Sequence, residues 1–410
     1  MNVGIDQLSF YTSSYVLDLS ELALANGYSK DHYWQQLKQQ KMAVLPPSED
    51  WLTMAANALA RMLGDNNNVT PINWEQQREI WRQQLHQVGL LLFATESSQE
   101  MSKASASYLH HWFAFPDRCR IVELKQACYA GTVGLQLALD WLRQHPNQQA
   151  VLVASDVADY QPGSPAESSQ GCGAVAMRLS RDPAMLTIEP ASAYCSKHSW
   201  DFWHPNYLPY ALVDGKQSCE IYLKLLEQCW QQFVNLLGHQ WHEYHYFCYH
   251  SPVPKLVYLA HRRIAKLQGI KLDSTDLTNA LQPTLHYTQQ IGNCYTASLY
   301  LNLLSLWETA IDLKVGDKIA LYSYGSGSIG ELFSGQFNCI PSNHRTVLQP
   351  LLSNRIELTW SQYRHWSEQR YRRETSNWQL DDQIEWLGGR FRLQTIQQGK
   401  RRYSFETESL

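Results

Sequence analysis

Short and nearly continuous apolar runs recur along the chain, separated by longer stretches in which apolar residues follow a helical spacing. Runs of the first kind are typical of strands buried on both faces of a sheet. The predicted strands cover residues 3–11, 88–95, 150–155, 173–179, 244–250 and 318–324. The predicted helices cover residues 51–63, 129–144, 218–237, 254–268 and 293–313. Because strands alternate with helices, the pattern favours a layered α/β protein.

The helix predicted to follow Tyr129 has apolar side chains on all sides. They belong to Val133, Leu135, Leu137, Leu139 and Leu142. A helix that is apolar all round is normally enclosed by protein. We therefore expect this helix to be buried on every side, with Cys128 beside its N-terminus.

Composition narrows the class of protein. The chain has 410 residues, is 44% hydrophobic and carries a formal net charge of -4, so it can bury a sizeable core and offers no electrostatic attraction to nucleic acid or anionic membranes. No window approaches the ~20 apolar residues of a membrane span, and the first residues lack the pattern of a signal peptide. We expect a cytoplasmic protein whose nine cysteines, never closer than nine positions, are free thiols.

Cys128 is the first candidate for chemistry. It lies in ELKQACYAGTVGL (123–135), where a predicted strand gives way to a helix. The unpaired N–H groups of a helix N-terminus favour a thiolate, so Cys128 could act as a nucleophile. The alternative is a small buried side chain, which is the usual fate of a free cysteine.

Glu96 and His250 both follow predicted strands, in ATESS and YHSPVPK. Open α/β sheets build their sites at the carboxyl ends of strands, where a partly desolvated Glu can act as a base and a His can transfer protons. Each also has a plainer interpretation. Glu96 could be a solvated loop residue, and His250 could be one of many structural histidines among the 15 in the chain.

Two further segments carry glycine or asparagine at strand and helix ends. YGSGSIGE (324–331) matches GxGxxG, the glycine pattern of dinucleotide-binding loops. The residues after it do not form a helical pattern, and no acidic residue follows about 20 positions later. Both are needed in such a site, so the context speaks against a dinucleotide site. We expect backbone N–H groups around Gly325 to approach a substrate oxygen. Asn293, in QIGNCYTASLYL, is expected to cap a helix and can also contact substrate.

These segments resemble, in order and spacing, the 3-hydroxy-3-methylglutaryl (HMG) thioester synthases, which are thiolase-fold condensing enzymes. The resemblance rests on ATES, ELKQACYAG, VLVASDVADY, ESSQGCGAVAM, DFWHP, LVDG, YHSPVPK, IGNCYTASLYL and SYGSGSIGE, and it covers essentially the whole chain. It implies a five-layered αβαβα fold of two similar halves. The halves would span residues 1–170 and 171–345, followed by an extension over 346–410 that packs on the core.

The family's functional residues can be transferred motif by motif. Its nucleophile, general base and histidine fall on Cys128, Glu96 and His250. Its substrate-binding and oxyanion-stabilising positions fall, in matching motifs, on Ser326, Gly325, Asn293, Tyr160, Asp156, Asp214, Ser169 and Trp203. Ser169 departs from the family pattern, in which a threonine is common.

The resemblance also implies substrates and partners. The enzyme would move an acetyl group from a thioester to Cys128, and would condense it with a β-keto thioester, without a cofactor or metal. LVDGKQSCEIYL is more like the group that acts on acyl carrier proteins in polyketide β-branching than the group that acts on coenzyme A in isoprenoid supply. The partners would be donor and acceptor carrier proteins, docked near Lys255, Arg262 and Arg263, and a second copy in a homodimer.

Three alternatives remain open at this stage. The coenzyme A enzyme of the mevalonate pathway is the main one. A decarboxylating ketosynthase would not need a carboxylate base at Glu96, and an inactive carrier-binding homologue would not need Cys128, Glu96 and His250 together.

Overall fold

The computed structural model describes residues 2–64, 73–341, 348–373, 377–380, 389–406 and 408–409. The helices are α1 (Leu19–Ala25), α2 (His32–Leu37), α3 (Trp51–Met62), α4 (Trp74–Leu85), α5 (Ala106–Trp112), α6 (Ala130–Gln144), α7 (Gly215–Asn235), α8 (Pro254–Leu267), α9 (Ser274–Leu285), α10 (Thr288–Ile291), α11 (Ser298–Thr309), α12 (Gln349–Ser353) and α13 (Trp360–Arg373). Short 3₁₀ turns cover Glu167–Ser169, Trp241–Glu243 and Tyr295–Ala297.

The strands alternate with these helices along most of the chain. They are β1 (Val3–Tyr11), β2 (Tyr15–Asp18), β3 (Lys41–Ala43), β4 (Val88–Ala94), β5 (Arg120–Leu124), β6 (Gln149–Val157), β7 (Cys172–Arg181), β8 (Leu186–Ile188), β9 (Ala193–Ser196), β10 (Phe202–Trp203), β11 (Leu212–Val213), β12 (Tyr246–Tyr249), β13 (Lys318–Gly325), β14 (Ile329–Phe337), β15 (Ile356–Glu357), β16 (Trp378–Gln379), β17 (Phe391–Gln397), β18 (Lys400–Phe405) and β19 (Glu408–Ser409). The six predicted strands correspond to β1, β4, β6, β7, β12 and β13, which confirms them.

The central sheet contains the same pairing pattern twice. In the first half, β1 pairs with β7 and β7 with β6, both antiparallel, and β6 pairs with β4 in parallel. In the second half, β8 and β9 pair with β14 and β14 with β13, again antiparallel, and β13 pairs with β12 in parallel. An antiparallel pairing of β1 with β8 joins the two. The repetition confirms the predicted α/β fold of two similar halves.

Helices α6 and α11 occupy the same place in the two halves and meet at the centre of the molecule. A Cβ atom at Gly131 of α6 would lie 2.6 Å from the carbonyl oxygen of Thr296, so only glycine permits this approach. Nearby, the hydroxyl groups of Thr132 and Tyr300 are 3.0 Å apart. These contacts join the first turn of α6 to the start of α11, so the N-termini of the two helices lie close together.

Two predictions about these helices are wrong. Helix α6 is not enclosed on every side, because Leu137 is 49% exposed. The helix expected over 293–313 begins later, at Ser298, because Gly292 has φ +89° and the chain then forms a 3₁₀ turn. Asn293 consequently lies in the connection before α11.

The C-terminal segment packs on the first half. Strand β15 pairs in parallel with β2, and Phe391, Tyr403 and Phe405 from β17 and β18 are buried in the main core. The Tyr403 hydroxyl donates to Asp50 Oδ2 at 2.9 Å, at the N-terminus of α3. Residues 342–347, where the predicted second half meets the predicted extension, lie outside the described residues, and the domain limits stay a prediction.

Candidate active site

The loop that carries Cys128 is held from two sides. Ala127 has φ +47°, a conformation that costs a non-glycine residue free energy and persists only where its surroundings impose it. Gly325, at the end of β13, lies directly against this loop, because a Cβ atom there would come within 2.7 Å of the Gln126 carbonyl oxygen. Strand β13 of the second half therefore fixes the position of Cys128 in the first half.

Cys128 and Glu96, which are both partly exposed, are in direct contact. The Cys128 thiol donates to Glu96 Oε1 at 3.2 Å. Burial and the nearby Glu96 carboxylate raise the pKa of the Cys128 thiol well above its usual value. The expectation that the helix N-terminus would lower this pKa is therefore wrong, because desolvation and like charge outweigh the helix dipole.

Asp156 lies beneath Glu96 and organises its surroundings. Its Oδ1 accepts hydrogen bonds from the Glu96 backbone N–H at 2.8 Å and from the Thr95 and Ser97 hydroxyls at 2.9 and 2.8 Å. Its Oδ2 accepts from the N–H of Thr296 at 3.0 Å. Burial and the charge of Asp156 raise the pKa of Glu96 well above its usual range. Asp156 thus fixes the backbone at Glu96 and weakens its acidity.

An aromatic cluster forms the wall beside Cys128. Buried Tyr160 and Tyr295 have ring centroids 6.2 Å apart, and Phe202 lies 6.1 and 5.5 Å from them. Cys128 packs against this cluster. Sequence reasoning named Tyr160 but missed Tyr295 and Phe202, although both lie within the quoted motifs IGNCYTASLYL and DFWHP.

Asn293 joins the cluster from the second half. It is buried, and its side chain hydrogen-bonds to Tyr160. Its Oδ1 accepts from the Tyr295 N–H at 2.9 Å and from the Ser298 hydroxyl at 2.8 Å. Its own N–H donates to the carbonyl of Ser169 at 3.0 Å. Ser169 uses its hydroxyl within its own turn, where it donates to Ala166 at 2.7 Å.

His250 immediately follows β12 and is 1% exposed. Its N–H donates to the Tyr322 carbonyl at 2.7 Å, and its carbonyl accepts from the Tyr222 hydroxyl at 2.8 Å. The ring atom Nε2 is buried and has no hydrogen-bond partner among the residues that the structure describes. Burial lowers the pKa of His250 to about 3, so the ring is neutral at physiological pH and can act as a hydrogen-bond donor.

Asp201 is a functional candidate that sequence reasoning missed. It is fully buried and accepts hydrogen bonds from the Tyr324 hydroxyl and from the Ser199 hydroxyl at 2.8 Å. It also accepts from the Gly327 N–H at 3.1 Å and from the Ser326 side chain. Asp201 therefore holds the loop that carries Ser326 and Gly325. The signal was present in DFWHP, of which Asp201 is the first residue.

Several predicted site residues lie outside this cluster. Successive side chains of a strand point to opposite faces, so Phe202 and Trp203 have different neighbours. Phe202 joins the aromatic cluster, whereas Trp203 makes an edge-to-face contact with Trp200, with ring centroids 5.7 Å apart. Asp214 is exposed and caps α7 by accepting from the Gln217 N–H at 3.0 Å. The structure does not place either residue beside Cys128.

The three predicted docking cations are exposed on α8. Arg263 is paired with Glu227 of α7. Lys255 and Arg262 are seven residues apart on the helix, which places them on one side. The geometry therefore leaves Lys255 and Arg262 as the better candidates for contact with a partner.

A cavity of about 980 Å³ borders the loop that carries Cys128. It is lined by Gln126, Tyr129, Gln136, Ser192 and Glu331 among others, and not by Cys128, Glu96 or His250.

Within the part of the chain that the structure describes, no group of three or more His, Cys, Asp or Glu side chains could hold a metal ion. No helix in the same ranges is long and apolar enough to cross a membrane.

Comparison with protein families identifies the chain. The model of the N-terminal region of hydroxymethylglutaryl-coenzyme A synthase matches residues 1–184, and that of the C-terminal region matches 187–268 and 258–405. The chain belongs to the HMG-CoA synthase family. It is accordingly a condensing acyltransferase that acts on acyl thioesters, as the sequence predicted.

Relatives of two kinds are similar to it along most of their length. The HMG-CoA synthase of Enterococcus faecalis is 33% identical, over 88% of this chain and 91% of that protein. The polyketide biosynthesis 3-hydroxy-3-methylglutaryl-ACP synthase of Bacillus subtilis is 28% identical, over 82% and 80%.

Solved structures of both kinds share the thiolase-like fold. An HMG-CoA synthase complexed with CoA superposes with a TM-score of 0.85 at 31% identity, covering 99% of this chain and 100% of the other. The HMG synthase of the curacin biosynthetic pathway, in complex with holo donor-ACP, superposes with a TM-score of 0.86 at 26% identity and the same coverage.

Proposed function

We propose that this HMG synthase condenses the acetyl group of acetyl-coenzyme A with the β-keto carbon of acetoacetyl-coenzyme A, through an acetyl-Cys128 intermediate. The observation that carries the proposal is the 3.2 Å hydrogen bond from Cys128 to Glu96. It places a nucleophile beside a carboxylate whose raised pKa makes it a stronger base than an ordinary carboxylate. Product analysis by mass spectrometry, with both substrates supplied, tests the proposal.

The first step transfers the acetyl group to Cys128. Glu96 accepts the hydrogen bond of the thiol and can take its proton as Sγ attacks the thioester carbonyl. The coenzyme A thiol leaves with a proton. Because the acetyl group is then a thioester, its methyl protons stay acidic enough for Glu96 to remove one.

The second step forms the carbon–carbon bond. Removal of a methyl proton by Glu96 gives an enolate on the acetyl group of Cys128, and its carbon attacks the β-keto carbon of the acceptor. Backbone N–H groups near Gly325 and Ser326 are proposed to stabilise the developing oxyanion. Neutral His250 donates from Nε2 to the ketone oxygen, and water then cleaves the bond to Cys128.

Substrate contacts are proposed for the buried polar groups around this centre. Tyr160 and Asn293 would contact the acyl chain, while Asp156 would act through Glu96. Trp203 and Asp214 have their contacts away from Cys128, so we assign them no contact with the reacting atoms. Ser169, whose carbonyl accepts from the Asn293 N–H, is proposed to lie along the acyl site.

Coenzyme A is favoured over carrier protein by the relatives. The HMG-CoA synthase of Enterococcus faecalis is 33% identical to this chain, against 28% for the Bacillus subtilis HMG-ACP synthase, and the solved HMG-CoA synthase with CoA is 31% identical, against 26% for the curacin enzyme. Other curated HMG-CoA synthases are 26–28% identical, so the support comes from these two proteins alone. The carrier protein predicted from the sequence stays a second candidate, which the similarity to the curacin enzyme supports. Exposed Lys255 and Arg262 suit both, because phosphates and acidic helices attract the same cations.

Matched kinetics separate the two candidates. We expect kcat/KM for acetyl- and acetoacetyl-coenzyme A to exceed that for the same acyl groups on carrier protein by at least about tenfold. Reversing Lys255 and Arg262 to Glu should raise KM with little change in kcat. Lys271→Glu, just after α8, is the control for each single reversal, because it makes an equal charge change. A reversed preference of the parent enzyme would assign it to carrier protein.

We also propose the homodimer that the resemblance implies. Strand β5 lies at an edge of the described central sheet and pairs with β4 alone there. Val122 of β5 and Leu137 of α6 are 37% and 49% exposed, which leaves apolar surface beside an unpaired strand edge. Light scattering should give twice the chain mass, and Val122→Asp should yield monomers. A monomeric parent enzyme would contradict this.

A further inference from the structure

The segment from Asp159 to Gln170 connects the active site to the C-terminal helix α13. It begins just after β6 and contains Tyr160, whose ring packs in the aromatic cluster beside Cys128. The segment is folded back on itself: the Tyr160 N–H donates to Gln170 Oε1 at 2.8 Å, and the Gly163 N–H donates to Glu167 Oε2 at 2.7 Å. Its shape thus depends on where the side chains of Glu167 and Gln170 are held.

Helix α13 contacts both of those side chains through the hydroxyl group of Tyr363, and it contacts Glu167 also through Arg364, whose Nη1 lies 3.7 Å from Oε1. The Tyr363 hydroxyl donates to Glu167 Oε1 at 2.9 Å and accepts from Gln170 Nε2 at 2.8 Å. Glu167 is 1% exposed and Tyr363 is 4% exposed. A deeply buried carboxylate depends on its donors, so loss of the hydroxyl would weaken the hold on Glu167, which would keep the Gly163 N–H and the longer ion pair with Arg364.

A second contact lies two helical turns further along α13. Arg370 is buried and forms an ion pair with Asp159, the residue directly before Tyr160. Both ends of the 159–170 segment are therefore fastened to the same helix. Trp366 of the same helix packs away from the segment, because it contacts Tyr15 edge-on at 4.7 Å.

We propose that Tyr363 and Arg370 are positioning residues for the active site, which hold the 159–170 segment, and with it Tyr160, against Cys128. They act through the segment and touch no reacting atom. A closed wall beside Cys128 would keep water from the acetyl thioester until the acceptor arrives. The kinetic part of this inference rests on the proposed function, whereas the structural part does not.

The test uses Tyr363→Phe and Arg370→Met in the full-length enzyme. Hydrogen–deuterium exchange should be about tenfold faster at the amides of Tyr160 and Gly163, because each variant removes a contact to a charged group. Alkylation of Cys128 by iodoacetamide should also accelerate about tenfold. Acetyl-Cys128, followed by intact-protein mass spectrometry without acceptor, should hydrolyse faster by a similar factor. Arg370→Lys should restore most of the protection.

Trp366→Ala is the matched control. It weakens docking of the same helix and should lower the thermal midpoint, yet leave exchange at Tyr160 and alkylation of Cys128 at parental rates. The proposal is overturned if exchange in Tyr363→Phe equals that of the parent, if Trp366→Ala has the same effects, or if exchange rises while alkylation and acetyl hydrolysis do not. Failure of the parent to acetylate Cys128 would instead contradict the proposed function, and the exchange and alkylation measurements would still decide this inference.

Discussion

The two halves of the molecule repeat one arrangement of strands but place opposite kinds of group at equivalent points. Glu96 follows β4 in the first half, and His250 follows the corresponding strand β12 in the second. Glu96 is partly exposed beside Asp156, whereas His250 is buried and its Nε2 has no hydrogen-bond partner among the described residues. The two halves therefore give equivalent strand ends different surroundings, which suit Glu96 to the proposed role of base and His250 to that of neutral donor.

The halves also differ in how their central helices begin. Cys128 precedes α6 on a loop with a left-handed residue, while Asn293 precedes α11 in a buried hydrogen-bonded turn. In the proposed mechanism the first half therefore supplies the reactive thiol, and the second half supplies groups that hold and orient the substrate. Substitutions in one half at a time can test these separate roles.

Removing the nucleophile should have the largest effect. Cys128→Ala is expected to reduce turnover by on the order of 10⁴-fold or more and to abolish acetylation, because no other group can take the acetyl. Intact-protein mass spectrometry after exposure to acetyl-coenzyme A measures this. Cys195→Ala, at another partly exposed cysteine, is the control and should acetylate normally. An acetyl group mapped to a different cysteine in the parent would refute the assignment.

Replacing the base should stop proton removal while leaving some acetylation. In Glu96→Gln we expect deuterium exchange of the acetyl methyl group to fall at least ~10²-fold, since an amide cannot accept the proton. Acetylation should slow less, because Cys128 is partly exposed and its proton can pass to solvent. Methyl exchange at the parental rate would show that another residue is the base.

Replacing His250 should distinguish most clearly between the steps that depend on the first half and those that depend on the second. His250→Asn is expected to lower condensation by about 10²-fold, because the shorter amide moves the donor away from the ketone oxygen. Acetylation of Cys128 and exchange of the methyl group, which belong to the first half, should remain. NMR of the acetyl methyl signal and product assays measure the two processes. Equal loss of both would contradict the separation.

The pH dependence should reflect Glu96 and not His250. Glu96 must be ionised to act, and because its pKa is raised, methyl exchange should fall as the pH is lowered through that raised pKa. His250, with a pKa of about 3, should cause no change in rate with pH between pH 5 and 8. Asp156→Asn removes a repelling charge and should move the acidic limb to lower pH. A limb that disappears in His250→Asn would contradict this.

The smallest effects concern the caps of two equivalent helices. Asp50 caps α3 while buried and also accepts from the hydroxyl of Tyr403, whereas Asp214 caps α7 while exposed. Asp214→Ala should cost about 0.5–1 kcal/mol in the free energy of unfolding, and Asp50→Ala about 2–3 kcal/mol, because it leaves buried donors unpaired. Urea denaturation measures both. Equal costs would show that burial of the cap is irrelevant.

Much of the frame could be predicted from the sequence. The six apolar runs are strands, because burial on both faces demands continuous apolar residues whatever the neighbours are. The motifs around Cys128, Glu96 and His250 indicated the family through their resemblance to those of HMG synthases. The GxGxxG match was rejected because the residues after it lack a helical pattern. The structure has strand β14 at this point, where a dinucleotide-binding fold needs a helix.

Only the tertiary structure decided the rest. The repeat of the two halves is absent from the residue pattern, because strand pairing is made between distant segments. The contact of Cys128 with Glu96, the choice of Phe202 over Trp203, and the exposure of Leu137 all depend on which elements meet. The pKa values of Cys128 and His250 follow from burial, which sequence position does not specify. A helix N-terminus is a local property, but the desolvation that overrode it at Cys128 comes from the whole fold.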